Sequence, residues 1–208
     1  RTLVEGFSSD RITKIIGIVN GTTNYILTKM TQEGASYEDV LAEAQSLGYA
    51  EADPTSDVEG LDAAYKMIIL SSLGFHVHVS LSDLKIKGIS GVTSEDIACA
   101  KRIGHTIKLL GIAERQDDMV NISVEPTMVK DSHPLASVNG VFNAVYVYGQ
   151  AVGETMFYGP GAGDMPTATS VVADLVAVSR NLQLGINGSR NQGWMNEKKL
   201  TSDEQIVS

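Results

Sequence analysis

The chain has 208 residues, of which 43% are hydrophobic, and its formal net charge at pH 7 is -9. This length allows one sizeable domain or two small ones with a buried core, and the acidic balance argues against nucleic-acid binding, which would require a basic surface. The single cysteine, Cys99, excludes an intrachain disulfide and a cysteine-rich metal site. Because the sequence contains neither a signal-peptide pattern nor an apolar run of about 18 residues, we expect a cytoplasmic protein with no membrane partner.

The first half of the chain is predicted to contain one strand and three helices. The β-branched, apolar segment 12–19 favours a strand that stops at an Asn-Gly pair. Apolar residues at helical spacing predict helices over 22–34 and 36–48, each ended by a glycine. A third helix is predicted over 57–73, with Asp57 as its N-cap.

The second half is predicted to change from helix to strand. A fourth helix is expected to begin at Thr93 or Ser94, to carry Ile107 and Leu110, and to stop at Gly111. Alternating or continuous apolar residues then predict strands over 119–129, 141–149 and 154–159, and a last amphipathic helix over 167–182.

These elements predict an α+β fold of mixed α/β layers, with a mostly antiparallel or mixed sheet that helices cover on one face. Residues 1–184 are assigned to one domain. Residues 185–208 are polar and are predicted to form a linker or tail.

The stretch "EADPTSDVEGLDAAYK" at positions 51–66 concentrates negative charge beside one lysine. Asp62 and Lys66 are four residues apart, so a helix would place both on one face. An ordinary surface ion pair accounts for this spacing as well. The apolar segment 67–70 predicts, however, that the helix is largely buried, and a lysine held by carboxylates in a dry pocket is a candidate acid or base.

Two acids of this stretch also fit ordinary structural roles, Asp57 as an N-cap and Glu59 in a first helical turn. A calcium-binding loop is disfavoured, because Val58 occupies the position of the required glycine and Ala64 that of the bidentate glutamate. A metal site at His76 and His78 is also disfavoured, because the sequence offers no third ligand nearby, and we therefore predict no metal site in this chain.

The stretch "VNGTTNY" lies where the first strand ends and a helix begins. Backbone amides at the N-terminus of a helix bind carboxylates, and Gly21, Thr22 and Thr23 would supply such amides. A helix that is merely capped by threonine, with no ligand, explains the same sequence. Together with the acidic stretch, this motif predicts one site for an anion and one for an ammonium group, as an α-amino acid requires.

The chain resembles homoserine dehydrogenases. That family carries the pattern A-x3-G-[Y/F]-x-E-x-D-P-x2-D-x-x-G-x-D-x3-K, and all of its fixed positions are present in register at Ala44, Gly48, Tyr49, Glu51, Asp53, Pro54, Asp57, Gly60, Asp62 and Lys66. The segments "GIVNGTTNYIL" and "GPGAGDMPTATSVVADL" also look like family sequence, so the resemblance covers about residues 1–184.

The resemblance implies interconversion of L-aspartate 4-semialdehyde and L-homoserine with NAD(P)H, a step in threonine, methionine and isoleucine biosynthesis. Lys66 would be the acid/base, and Asp62 would orient it. The remaining implied roles are ammonium binding by Glu51 and Asp57, carboxylate binding by Thr22 and Gly21, a wall formed by Tyr49, and nicotinamide contacts at Gly48, Gly161 and Gly163.

The sequence lacks the G-x-G-x-x-G pattern with a following acidic residue that marks a dinucleotide-binding domain. We therefore expect this chain to be the catalytic and dimerisation part of a longer enzyme. The resemblance would place the nucleotide-binding domain and the family's monovalent-cation site upstream, and an effector domain downstream. We expect the chain to form a homodimer through its sheet and to be inactive alone. The alternative is a stand-alone amino-acid-binding or regulatory module without redox activity.

Overall fold

A computed structural model of the chain describes residues 2–117 and 119–186. The predicted tail therefore lies outside the described residues except at its first two positions. The helices are α1 (Gly21–Glu33), α2 (Tyr37–Ser46), α3 (Thr55–Val58), α4 (Leu61–Phe75), α5 (Ser94–Arg102) and α6 (Asp164–Gln183). The strands are β1 (Ile12–Ile18), β2 (Lys85–Ile86), β3 (His105–Gln116), β4 (Met119–Lys130), β5 (Phe142–Gly149) and β6 (Gly153–Pro160).

The strands form one six-stranded sheet in the order β2-β4-β3-β1-β5-β6. Only the β2–β4 pair is parallel, and the other neighbours are antiparallel. Alternate residues of β1 serve the two faces: Ile15 joins the core beneath the helices, whereas Ile16 joins a smaller cluster on the opposite face with Leu135 and Val138. The predicted α+β fold, with a mixed sheet and helices on one face, is confirmed.

Three predicted termini are confirmed. Gly34 ends α1 with φ of 69°, and Gly48 follows α2 with φ of 76°, both in the left-handed region that favours glycine. The Ser36 hydroxyl caps α2 by accepting a hydrogen bond from the Asp39 amide at 3.2 Å.

The predicted last helix is present as α6, and none of its residues is buried.

The predicted fourth helix is wrong beyond Arg102. Gly104 takes φ of 70° and ends the helical segment, and the chain then enters β3. Ile107 and Leu110 belong to this central strand, which pairs with both β1 and β4. Their spacing suited a helix, but both faces of β3 are buried, so the apolar run lacks the simple alternation of a half-exposed strand.

The predicted third helix is divided in two. Gly60 has φ of 82° and separates α3 from α4. Asp57 consequently lies inside α3 rather than at its N-cap, and its carboxylate is free to serve another partner. This break places Asp57 on α3 and Asp62 on α4 instead of on one continuous helix.

Candidate active site

The N-terminus of α1 forms one side of the candidate site. Asn20 caps it, and the Asn20 Oδ1 atom accepts from the Thr23 amide at 2.9 Å. Gly21 is pressed against the backbone of Val141: a Cβ at this position would lie 2.9 Å from the Val141 carbonyl oxygen. The first amides of a helix have no partner within the helix, so this end of α1 offers hydrogen-bond donors and a positive helix dipole.

The acidic stretch meets this helix end at Asn20. The Asn20 Nδ2 atom donates to Asp57 Oδ1 at 2.7 Å and to Asp62 Oδ2 at 2.9 Å. The Lys66 amine donates to the same Asp62 oxygen at 2.7 Å and to the Val19 carbonyl at 2.9 Å. Two carboxylates and one ammonium group therefore lie around the junction of β1 and α1.

Lys66 is not buried in this chain, contrary to the prediction. Its side chain is 45% exposed, and that of Asp62 is 32% exposed. The buried face of α4 is formed instead by six other residues: Ala63, Ala64, Met67, Ser71, Gly74 and Phe75. Lys66 lies beside this face, so its stem borders the core while its amine remains accessible to a small molecule.

The loop between α2 and α3 carries Tyr49 and Glu51. The Thr22 hydroxyl donates to the Tyr49 carbonyl at 2.6 Å, which ties the loop to α1. The Tyr49 ring packs against Tyr25 with 5.0 Å between ring centroids. Gln45 Nε2 donates to the Glu51 carbonyl at 3.0 Å, and the Glu51 side chain is exposed. These bonds hold the loop backbone in place, and the Glu51 side chain remains accessible to solvent.

Asp53, the remaining acid of the family pattern, has a local structural role. Its carboxylate accepts from the Thr55 hydroxyl at 2.6 Å and from the Thr55 amide at 3.2 Å. These bonds, the hydroxyl first, lower the pKa of Asp53 from its ordinary value. Asp53 therefore shapes the turn before α3.

The glycines expected near a cofactor differ in their surroundings. Gly163 has φ of 119° and precedes α6, whose N-terminus has no side-chain cap. A Cβ on Gly161 would collide with the side-chain amide of Asn143, so a larger residue here requires that side chain to move. In the part of the chain that the structure describes, a Cβ on Gly48 would meet no atom within 4 Å, and its positive φ accounts for the glycine.

An open groove of about 590 Å³ lies at the start of α6 and is lined by Gly163, Asp164, Thr167, Ala168, Val171 and Val172. The β5–β6 register pairs Pro160 with Phe142. Phe142 follows Val141, whose backbone packs against Gly21. The glycine segment therefore begins near the N-terminus of α1. Apolar side chains beside an uncapped helix N-terminus suit a flat ring with a polar amide, so these residues fit one wall of a nicotinamide site.

Two contributors to this site are not predicted by the sequence. The pattern places Asn20 only at the end of a strand, although an asparagine before a helix is a common N-cap. The Val19 carbonyl carries no sequence signal at all, because any residue could supply it. Within residues 2–117 and 119–186, no group of three or more His, Cys, Asp or Glu residues is arranged to hold a metal ion.

A buried lysine of the sheet, Lys108, contacts α1 and the segment that precedes β5. Lys108 on β3 has no exposed surface, and its amine donates to Val138 O at 2.6 Å and to the side-chain oxygens of Asn24 and Asn139, both at 3.1 Å. Asn24 lies near the start of α1 and itself donates to the Gly140 carbonyl at 3.0 Å. Burial lowers the pKa of Lys108 to about 8.

Comparison with known proteins identifies the family. The model of the family described as "Homoserine dehydrogenase" matches residues 1–176. The chain belongs to the homoserine dehydrogenase family. A homoserine dehydrogenase of Bacillus subtilis is 64% identical over 208 residues, which make up all of this chain and 48% of that protein. The Mycobacterium tuberculosis homoserine dehydrogenase is 51% identical over 199 residues, 93% of this chain and 45% of its own length.

Solved homoserine dehydrogenase structures share the fold. The Thiobacillus denitrificans protein has a TM-score of 0.90 and 43% identity, covering 96% of this chain and 48% of that one. A hyperthermophilic archaeal homoserine dehydrogenase in complex with NADPH has a TM-score of 0.71 and 30% identity, covering 91% of this chain and 53% of the other. The chain spans about half the length of these relatives. No helix of the described part of the chain is both long and apolar enough to cross a membrane.

Proposed function

We propose that this chain is the substrate-binding and catalytic part of a homoserine dehydrogenase, which interconverts L-aspartate 4-semialdehyde and L-homoserine with NAD(P)H in threonine, methionine and isoleucine biosynthesis. The observation that carries the proposal is the contact of Lys66, Asp62 and Asp57 with the junction of β1 and α1. The family and this cluster together favour an amino-acid substrate bound at the start of α1.

The substrate carboxylate is placed at the amides of Gly21 and Thr22, where the helix dipole favours an anion. The substrate ammonium is placed between Glu51 and Asp57. Tyr49 forms the wall beside it, since its ring is half-exposed and its backbone is tied to Thr22. This arrangement requires a ligand that carries both charges, as both proposed substrates do.

Lys66 is the proposed acid/base. The nicotinamide cofactor, when bound, exchanges a hydride with the substrate carbon. As negative charge grows on the aldehyde oxygen, the Lys66 ammonium stabilises it and donates a proton. In the reverse direction the neutral amine accepts the hydroxyl proton. Asp62 fixes the direction of this amine through the 2.7 Å ion pair.

The nicotinamide is placed against Gly48, Gly161 and Gly163. The open groove at the start of α6 supports the last of these, because Gly163 lines it. The rest of the cofactor site, and the monovalent-cation site of the family, are placed on parts of the protein outside this chain. We therefore expect the chain alone to lack turnover.

The chain is further proposed to form a homodimer in the cytoplasm through the sheet face opposite the helices. At the β5–β6 end of this face, Phe142 and Tyr158 stack with 5.1 Å between ring centroids, and both are exposed. Within the described residues, β6 is an edge strand and no other strand pairs with its outer side. An exposed aromatic pair next to an open edge is typical of a contact surface.

The proposal is tested by NADPH oxidation with the full-length enzyme and L-aspartate 4-semialdehyde. Succinate semialdehyde is the matched control substrate, since it keeps the aldehyde and carboxylate but lacks the amino group. We expect turnover of the first and a kcat/KM at least about 100-fold lower for the second, because carboxylates positioned for an ammonium are then left unpaired. Homoserine binding without any NADPH oxidation by the full-length protein would contradict the proposal and favour a binding module.

A further inference from the structure

We propose that Asn20 is a positioning residue for the reaction: its side-chain amide holds Asp57 and Asp62 together at the start of α1 and thereby aims the Lys66 amine. The inference deepens the proposed function and rests on it. Asn20 is not among the fixed residues of the family pattern, and it acts through Asp62 rather than through the substrate.

The Asn20 side chain uses every hydrogen-bonding position that it has. Its two N–H groups serve Asp57 and Asp62, and its oxygen accepts from the Thr23 amide and the Thr23 hydroxyl, both at 2.9 Å. Asn20 is only 5% exposed, so water does not compete strongly for these bonds. The orientation of the amide is fixed by its partners, because the carboxylates need its donors and the Thr23 amide needs its oxygen.

No other residue type of this size meets these demands. Aspartate keeps the helix cap but has no donor for the two carboxylates when ionised, and serine has a single hydroxyl on a shorter stem. Asparagine is also neutral, so it bridges two carboxylates without adding a cation that would compete with Lys66 for them. Two neighbouring carboxylates repel each other, and donors shared between them stabilise both charges.

The same backbone segment fixes the lysine. The Lys66 amine contacts the Val19 carbonyl and the Asp62 oxygen that also accepts from Asn20. An ammonium group has three donors, so one remains for a substrate oxygen. Residues 19 and 20 therefore hold the amine directly and through Asp62, and they do so at the point where α1 offers its amides to the carboxylate. These two residues therefore set the distance between the proposed carboxylate site at the start of α1 and the Lys66 amine that donates the proton.

The test uses Asn20→Asp and Asn20→Ser in the full-length enzyme, each alone and combined with Lys66→Ala. Ser36→Ala is the matched control, since it removes the cap of α2 and the Ser36 hydroxyl bonds only Asp39 in the described part of the chain. We expect each Asn20 variant to lower kcat by about 10²-fold, the cost of a misplaced catalytic group. The KM for the aldehyde should change less than kcat, and Ser36→Ala should leave both unchanged.

The double variants separate positioning from plain structural support. If Asn20 acts through Lys66, Asn20→Ser adds no further loss once Lys66 is alanine, because the aimed group is gone. Losses that multiply in the double variant would overturn the inference. The pH profile gives a second readout: Asn20→Asp adds a negative charge beside Asp62 and should displace the pH dependence of kcat, whereas Asn20→Ser should not.

Failure to fold is distinguished from loss of positioning by circular dichroism, with the isosteric Asn20→Asp as the variant least disturbed in shape. If both Asn20 variants unfold, the residue is structural and the inference is overturned. An inactive wild-type enzyme would refute the proposed function. An active wild type with a defective Lys66→Ala and unimpaired Asn20 variants would refute the role of Asn20 alone.

Discussion

The amine of Lys66 donates a 2.9 Å hydrogen bond to the backbone carbonyl of Val19. This contact joins the first turns of α4 to the end of β1. Val19 directly precedes Asn20, the cap of α1, so the amine lies next to the start of that helix. A backbone carbonyl cannot be removed by changing a side chain, so it is a durable anchor for a catalytic amine. The junction therefore determines where a substrate oxygen can meet this amine.

Replacing Lys66 by alanine in the full-length enzyme should lower kcat by about 10²–10⁴-fold, because proton transfer to the substrate oxygen loses its donor. The affinity for NADPH should change little, since the amine is directed toward Val19 and Asp62. Single-turnover kinetics and cofactor titration measure the two effects. Equal turnover in the variant would remove Lys66 from the acid/base role.

Replacing Glu51 by leucine should mainly weaken substrate binding. The exposed Glu51 side chain is proposed to meet the substrate ammonium, so KM should rise about tenfold or more, as expected for loss of a charged hydrogen bond of about 1.5–3 kcal/mol. Glu38→Leu is the control, because Glu38 is an exposed acid in the first turn of α2. If KM moves equally in both variants, Glu51 is not the ammonium ligand.

Replacing Gly21 by alanine should damage both stability and carboxylate binding. The new Cβ would lie 2.9 Å from the Val141 carbonyl oxygen, so the start of α1 must shift. We expect a loss of about 1–3 kcal/mol in unfolding free energy and a raised KM. Gly91→Ala is the control, since a Cβ there meets no atom of the described residues within 4 Å. Chemical denaturation and steady-state kinetics compare the pair, and indistinguishable variants would contradict the close packing of α1.

Lys108 should make stability depend on pH in the alkaline range. Its folded pKa, lowered by burial to about 8, lies below the ordinary value of 10.5. Between these values the unfolded chain binds more protons, so the unfolding free energy rises with pH; below about pH 8 the cost of burying the charge is fully present. Raising the pH from about 8 to about 10 should add about 2 kcal/mol.

Urea unfolding of the wild-type chain and of Lys108→Met at both pH values measures this contribution. The groups that face the Lys108 amine, namely Asn24, Val138 and Asn139, are neutral, so the change is assigned to the lysine. The methionine variant should lack the increase, although its overall stability also reflects the acceptors left unpaired. Parallel pH dependences in the two proteins would show that Lys108 does not titrate in this range.

Replacing Tyr158 by glutamate should disrupt the proposed dimer. Tyr158 is 59% exposed and stacks on Phe142 at the open end of the sheet, so a charge there would be buried if two copies pack on this face. Light scattering of the full-length enzyme should give a dimer for the wild type and a monomer for the variant. Ile103→Glu, at an exposed apolar residue after α5, should stay dimeric. A dimeric Tyr158→Glu variant would place the contact elsewhere.

The sequence alone determined the fold class, the first strand, the α2 cap at Ser36 and the family pattern that ends at Lys66. These features depend on local periodicity, caps and spacing, which neighbouring residues specify. The sequence also predicted that a helix N-terminus and a group of acids belong to one site, and the structure brings the two together at Asn20. The ligand groups assigned to them stay a prediction.

Only the tertiary structure decided what Lys66 contacts, that Asn20 joins two carboxylates, and that the fourth helix gives way to β3 after Gly104. Each depends on residues far apart in the chain: β3 is a strand because it pairs with β1 and β4, and Asn20 meets Asp57 and Asp62 because α3 and α4 pack beside the end of β1. Pairing across the sheet overrides local helical spacing, since a buried backbone must satisfy its hydrogen bonds and the neighbouring strands supply the partners.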